Sequence, residues 1–119
     1  MSFRFIALFA AAAFAIPLTA TAQEGRYQVA GTNLDGSPYG GEAEIVLSSD
    51  TTCVIRWLTG ATESSGICMR NDDSFAAGYQ LGNNVGLVIY KIMPDGTLNG
   101  LWTLSGAPGN GTEVLTPIR

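Results

Sequence analysis

The stretch Val88-Ile89-Tyr90-Lys91-Ile92-Met93-Pro94-Asp95-Gly96-Thr97-Leu98-Asn99-Gly100-Leu101-Trp102 decides the fold class. Two runs with apolar residues at alternate positions flank Pro94-Asp95-Gly96, the pattern of two strands joined by a tight turn. Proline sets φ, and glycine takes the left-handed position of a three-residue loop. Met93 then faces Thr97, and the register pairs Ile92 with Leu98, Tyr90 with Gly100 and Val88 with Trp102. These pairs share one face, which puts Val88, Tyr90, Ile92 and Trp102 in the core. Tyr90 covers the bare backbone at Gly100, a common remedy for a glycine inside a strand.

The chain on either side repeats this grammar. Strands are predicted at about 25–32, 41–48, 51–58, 63–70, 74–81, 85–93, 97–104 and 111–117, separated by glycine, asparagine and aspartate. Nothing after residue 22 sustains apolar spacing at three and four residues, so no helix is expected. Short connections favour antiparallel neighbours joined in sequence. An even strand number lets the first and last strands pair, which removes the exposed edges. The expectation is an all-β fold, a small antiparallel up-and-down barrel of about eight strands or a related sandwich. Both use the same alternation.

A second hairpin turns at Gly60-Ala61, with glycine first as a type II′ turn prefers. Counting outward, Trp57 faces Ser64, Ile55 faces Gly66 and Cys53 faces Cys68. Directly opposed residues lie roughly 4.5–5.5 Å apart at Cα, inside the disulfide window. Cys53 and Cys68 are the two cysteines of the chain, and a disulfide between them is expected; free thiols are the alternative.

Residues 1–22 read as a secretory signal peptide: Arg4, an apolar run from Phe5 to Leu18, then Thr19-Ala20-Thr21-Ala22 as a small-residue cleavage site. The run is shorter than the roughly 20 residues of a spanning helix. Residues 23–119 are expected to form a single all-β domain, periplasmic or secreted, where an oxidising compartment suits a disulfide. The formal charge is −4 and the bases are scattered singly, so no basic stripe is present to neutralise phosphates. Nucleic acid is not an expected partner.

The chain has no histidine, which removes the usual general base and the commonest transition-metal ligand. With the cysteines bridged, no thiolate remains. The expectation is a protein that is not an enzyme, with no catalytic residue, metal or cofactor. Glu42 and Glu44 share a strand face opposite Ala43, Ile45 and Leu47. A carboxylate pair can serve glycoside hydrolysis, but a solvated strand face explains the same residues. Asn33, Asp35, Ser37 and Glu42 follow part of the calcium-loop spacing. Gly31 stands where that pattern needs an acid and Pro38 interrupts it, so a hairpin turn is expected instead. Asp35-Gly36-Ser37 also echoes Asp95-Gly96-Thr97, as two turns solving one geometric problem would.

Two binding modes follow. The strand around Ile89 is apolar on both faces. Leu87 and Ile89, with Leu101 on the paired strand, form an outer surface that is covered by another part of the chain or meets a second copy or protein partner. Alternatively, Tyr27, Trp57, Tyr90 and Trp102 wall a site for a small apolar ligand inside the barrel, or are simply core.

Three blocks carry a resemblance: Tyr27-Gln28-Val29-Ala30-Gly31-Thr32-Asn33-Leu34-Asp35-Gly36-Ser37, Val88-Ile89-Tyr90 followed by Asp95-Gly96-Thr97-Leu98-Asn99-Gly100-Leu101-Trp102-Thr103, and Gly111-Thr112-Glu113 running to Thr116-Pro117. They are similar to a group of short exported alphaproteobacterial proteins, often labelled fibronectin-binding or uncharacterised. The resemblance implies an exported, non-catalytic interaction protein whose partner is an extracellular matrix protein such as fibronectin. In architecture alone, the meander resembles the small ligand-carrying barrels such as avidins and lipocalins. This chain is shorter than those, leaving an interior that side chains can fill.

Overall fold

The computed structural model describes residues 23–119, and the expected signal peptide lies outside the described residues. Eight strands run in sequence: β1 (Gly25–Thr32), β2 (Pro38–Leu47), β3 (Thr52–Thr59), β4 (Thr62–Asn71), β5 (Ser74–Leu81), β6 (Asn84–Ile92), β7 (Leu98–Leu104) and β8 (Gly111–Pro117). Each pairs antiparallel with its neighbour, and β1 pairs with β8 from Tyr27 opposite Pro117 to Thr32 opposite Thr112. The sheet is a closed barrel. The sandwich alternative is therefore excluded, because closure leaves neither β1 nor β8 as an edge.

Both hairpin registers hold. Tyr90 pairs with Gly100 and Val88 with Trp102, while Trp57 pairs with Ser64 and Cys53 with Cys68. Gly60 has φ +62° and Ala61 is not left-handed, as a type II′ turn requires. Strand β2 starts at Pro38, earlier than expected. Its missing N–H is harmless at the first residue of a strand.

The two echoing turns share one construction. Met93 N–H donates to Thr97 O at 2.8 Å and Asn33 N–H to Ser37 O at 2.7 Å. In each loop the aspartate accepts from the backbone N–H and hydroxyl two residues on, Asp95 from Thr97 and Asp35 from Ser37. These bonds hold both carboxyls below the ordinary aspartate range. The turn thus accounts for the residues that mimic a calcium loop. Glu42 points outward and pairs with Arg26 at 2.6 Å.

Alternation divides inside from outside. Ile45, Ile55, Leu98 and Leu115 are fully buried in the lumen, and the Cys53–Cys68 disulfide spans β3 and β4 with a Cα separation of 4.9 Å. Large inward aromatics lie over glycines on the adjoining strand: Tyr90 over Gly100, Tyr39 over Gly31, Tyr79 over Gly86 and Trp102 over Gly111. A methyl group at Gly100 would sit 2.5 Å from the Tyr90 ring and 2.9 Å from the Ile89 carbonyl oxygen. Overpacking of that kind costs about 1–3 kcal/mol. Gly100→Ala is expected to lower the urea midpoint accordingly, and an unchanged midpoint would show that Tyr90 has room to retreat.

Candidate functional site

The connections 33–37, 60–61, 82–83 and 105–110 gather at one end of the barrel. There the rings of Tyr39, Tyr79 and Trp102 cover Gly31, Gly86 and Gly111, and the inward positions beside them on β3 and β4 are the short Thr59, Thr62 and Ser64. Side chains cannot fill the lumen at that end, contrary to the expectation of a filled interior. A cavity of about 210 Å³ opens between Trp57, Tyr79, Tyr39 and Trp102, with Thr59, Thr62 and Ser64 along one side and Glu113 in its wall.

Glu113 is the organising residue. Strand β8 turns Gly111, Glu113 and Leu115 inward, so a carboxylate stands where the pattern calls for an apolar side chain. Only 6% of its surface is exposed. Its Oε2 accepts from Trp57 Nε1–H at 2.9 Å and from the Tyr90 hydroxyl. Its Oε1 accepts from the Tyr39 hydroxyl at 2.6 Å. Three donors from β2, β3 and β6 therefore converge on one carboxyl group. Burial of a charge is tolerated only with such hydrogen bonding.

The aromatic walls are coupled in pairs. Trp57 and Tyr79 have ring centroids 5.0 Å apart at a tilt of 57°, and Tyr39 meets Trp102 edge-on at 6.2 Å. The Trp102 Nε1–H donates to the Thr112 carbonyl at 3.2 Å, which leaves its ring fixed at the rim.

Burial, reinforced by the charge of Glu113, raises the Tyr39 and Tyr90 hydroxyls well above the usual tyrosine value. The same two causes push Tyr79 up to about 12. Tyr27 is pushed up to about 12 by burial, against the nearby Arg119. The chain has these four tyrosines. Above pH of about 10 the unfolded chain loses phenolic protons that the native chain keeps, so the tyrosines' contribution to stability falls as pH rises from there and is constant below it. Tyrosinate absorbance is expected to rise together with loss of β-sheet ellipticity. Titration of all four tyrosines near their ordinary value with the sheet intact would contradict this.

Of the four aromatics expected to wall an internal site, Trp57 and Trp102 line the cavity. Tyr90 lies behind it, holding Glu113. Tyr27 does not belong to it: on β1 it pairs with Ala43 and Pro117 and packs in the core. The sequence reading missed Tyr39, Tyr79 and Glu113. A parity count along 111–117 would have exposed Glu113, since Leu115 fixes the inward set.

No family model and no curated protein matches the chain. Solved structures do. A redesigned β-barrel superposes with a TM-score of 0.71 at 18% identity, over 84% of this chain and 95% of that one. A second redesigned barrel, mFAP1, bound to DFHBI, gives 0.68 at 21% identity over 82% and 96%. A de novo designed fluorescence-activating barrel gives 0.66 at 16% identity over 84% and 97%. This chain is similar to them in fold.

The outward expectation is placed as well. Leu87, Ile89 and Leu101 are 60%, 57% and 53% exposed, adjacent across β6 and β7. No described part of the chain covers them. Ile67 and Met69 on β4 extend the same face across the small Ala76 and Gly78 of β5.

Proposed function

We propose that this protein is a non-catalytic carrier that binds a small molecule in the cavity beside Glu113. The observation that carries the reading is an aromatic-walled space at a barrel mouth with one convergent polar anchor, the usual composition of a small-ligand site. The barrel likeness agrees with it, since one of the similar structures is bound to DFHBI. The disulfide is consistent with an exported, oxidising location.

Trp57 and Trp102 are the two tryptophans of the chain, and both line the cavity. Occupancy is therefore readable in intrinsic emission. Titration with a panel of small aromatic compounds is expected to shift tryptophan emission saturably at one-to-one stoichiometry. Ser64→Phe, which fills the space, is expected to abolish the response while the far-ultraviolet spectrum stays native. A saturable response that survives this substitution would place binding elsewhere.

A second reading rests on the outer face of β4–β7. That face carries Ile67, Met69, Leu87, Ile89 and Leu101, each more than half exposed, while outward Arg26, Gln28, Glu42 and Glu44 lie on β1 and β2. We assign the apolar face to contact with a second copy of this chain. Ile89→Asp is expected to convert a dimer to a folded monomer in sedimentation velocity. A wild-type protein that is monomeric at high concentration would remove this reading. Neither the cavity nor the face carries a feature particular to fibronectin.

A further inference from the structure

The cavity is electrostatically one-sided. Its lining contains the Glu113 carboxylate and neither lysine nor arginine. The three groups that bind Glu113 are neutral donors, two on Oε2 and one on Oε1. They supply dipoles and no opposing charge. A carboxylate offers about four acceptor sites, so one remains, on Oε1.

The surrounding groups point the same way. Burial and the nearby Glu113 raise the Tyr39 and Tyr79 hydroxyls, which stay neutral and add no charge of their own to the space. Aromatic faces attract cations through their quadrupoles, with tryptophan the strongest. Trp57, Tyr79, Tyr39 and Trp102 supply four such rings around the space. A cationic ligand would gain both from these faces and from a partly desolvated carboxylate, where low dielectric strengthens attraction between opposite charges. An anionic ligand would be repelled by the same group. A neutral donor would gain a hydrogen bond alone.

Size narrows the class further. A space of about 210 Å³ lies below the roughly 300–1,000 Å³ of sites for drug-sized molecules. One aromatic ring on a short arm fits such a space.

We infer that the cavity selects a small organic cation, an aromatic amine whose ammonium group donates to Glu113 Oε1 while its ring packs between the tryptophans. The inference rests on the carrier reading and names the chemistry of its ligand. It involves no bond making or breaking.

The test uses three probes of matched shape: 2-phenylethylammonium, 2-phenylethanol and 3-phenylpropanoate, each titrated into the wild-type protein with tryptophan emission as readout. The cation is expected to bind at least about tenfold more tightly than the alcohol, with the anion weakest. In Glu113→Gln the ratio of cation to alcohol affinity is expected to collapse to within about twofold. The wild-type ordering decides the matter even if that variant does not fold. Alcohol or anion binding as tightly as the cation would overturn the cation assignment and leave the carrier reading standing. Binding by none of the three would count against the carrier reading itself.

Discussion

Glu113→Leu is expected to be the most damaging single substitution in the barrel. Leucine has a shape the site can accommodate but accepts no hydrogen bond. Trp57 Nε1–H and the Tyr90 hydroxyl, both buried, would lose their partner. Tyr39 borders the cavity and can turn its hydroxyl to water. Each buried donor left unpaired costs about 1–3 kcal/mol, so the loss should be about 2–6 kcal/mol against a total stability of about 5–15 kcal/mol for a domain. Glu113→Gln keeps one acceptor oxygen and should lose less. Urea denaturation followed by tryptophan emission gives both values. A leucine variant as stable as wild type would mean that removing a buried charge offsets the loss of two hydrogen bonds, and the carboxylate would then be retained for binding alone.

The second large effect concerns the other part of the lumen. Cys53 and Cys68 are 15 residues apart in sequence, and closing a loop of that size contributes about 3 kcal/mol, mainly by restricting the unfolded chain. Cys53→Ala with Cys68→Ala is expected to lower Tm by roughly 10–25 °C, at about 4–8 °C per kcal/mol for a domain of this size. Reduction of the wild type should reproduce most of the shift. Both cysteines are buried and neither lines the cavity, so ligand response below the transition should survive. Loss of binding in a variant that is still folded would tie the cavity to the disulfide, which the structure does not. A Tm within a degree or two of wild type would show that the unfolded chain was already restricted there.

Much of the barrel was legible because its turns are chemically explicit. Pro94-Asp95-Gly96 and Gly60-Ala61 each fix a register, and register fixes which side chains face inward. The Cys53–Cys68 pairing follows from the second turn by counting. Closure was expected from the even strand number and the short connections, and the structure bears it out, but the sequence did not separate it from a sandwich. Alternation reads the same in a sandwich, and the decisive pairing of β1 with β8 joins residues at opposite ends of the domain. Tyr27 illustrates a second limit: its inward parity is readable, but its height along the barrel depends on strand stagger, which no local signal records.

The site was hidden for a related reason. Tyr39, Trp57, Tyr90 and Glu113 come from four strands, and only the closed sheet brings three donors to one carboxylate. The cavity itself is a property of what is missing. Thr59, Thr62 and Ser64 read as ordinary strand positions in the sequence, whereas in the barrel these short inward side chains leave volume beside the aromatic rim. Leu87, Ile89 and Leu101 were legible as an apolar outer set, since parity alone puts them outside. Whether another segment covered them required the whole chain path.

The most direct measurement is native mass spectrometry of untagged protein purified from its own host. The spectrum is expected to show one discrete mass added to each chain, present in the wild type and absent from Ser64→Phe. A wild-type chain at its bare sequence mass, with nothing retained and nothing lost on filling the cavity, would contradict the carrier account.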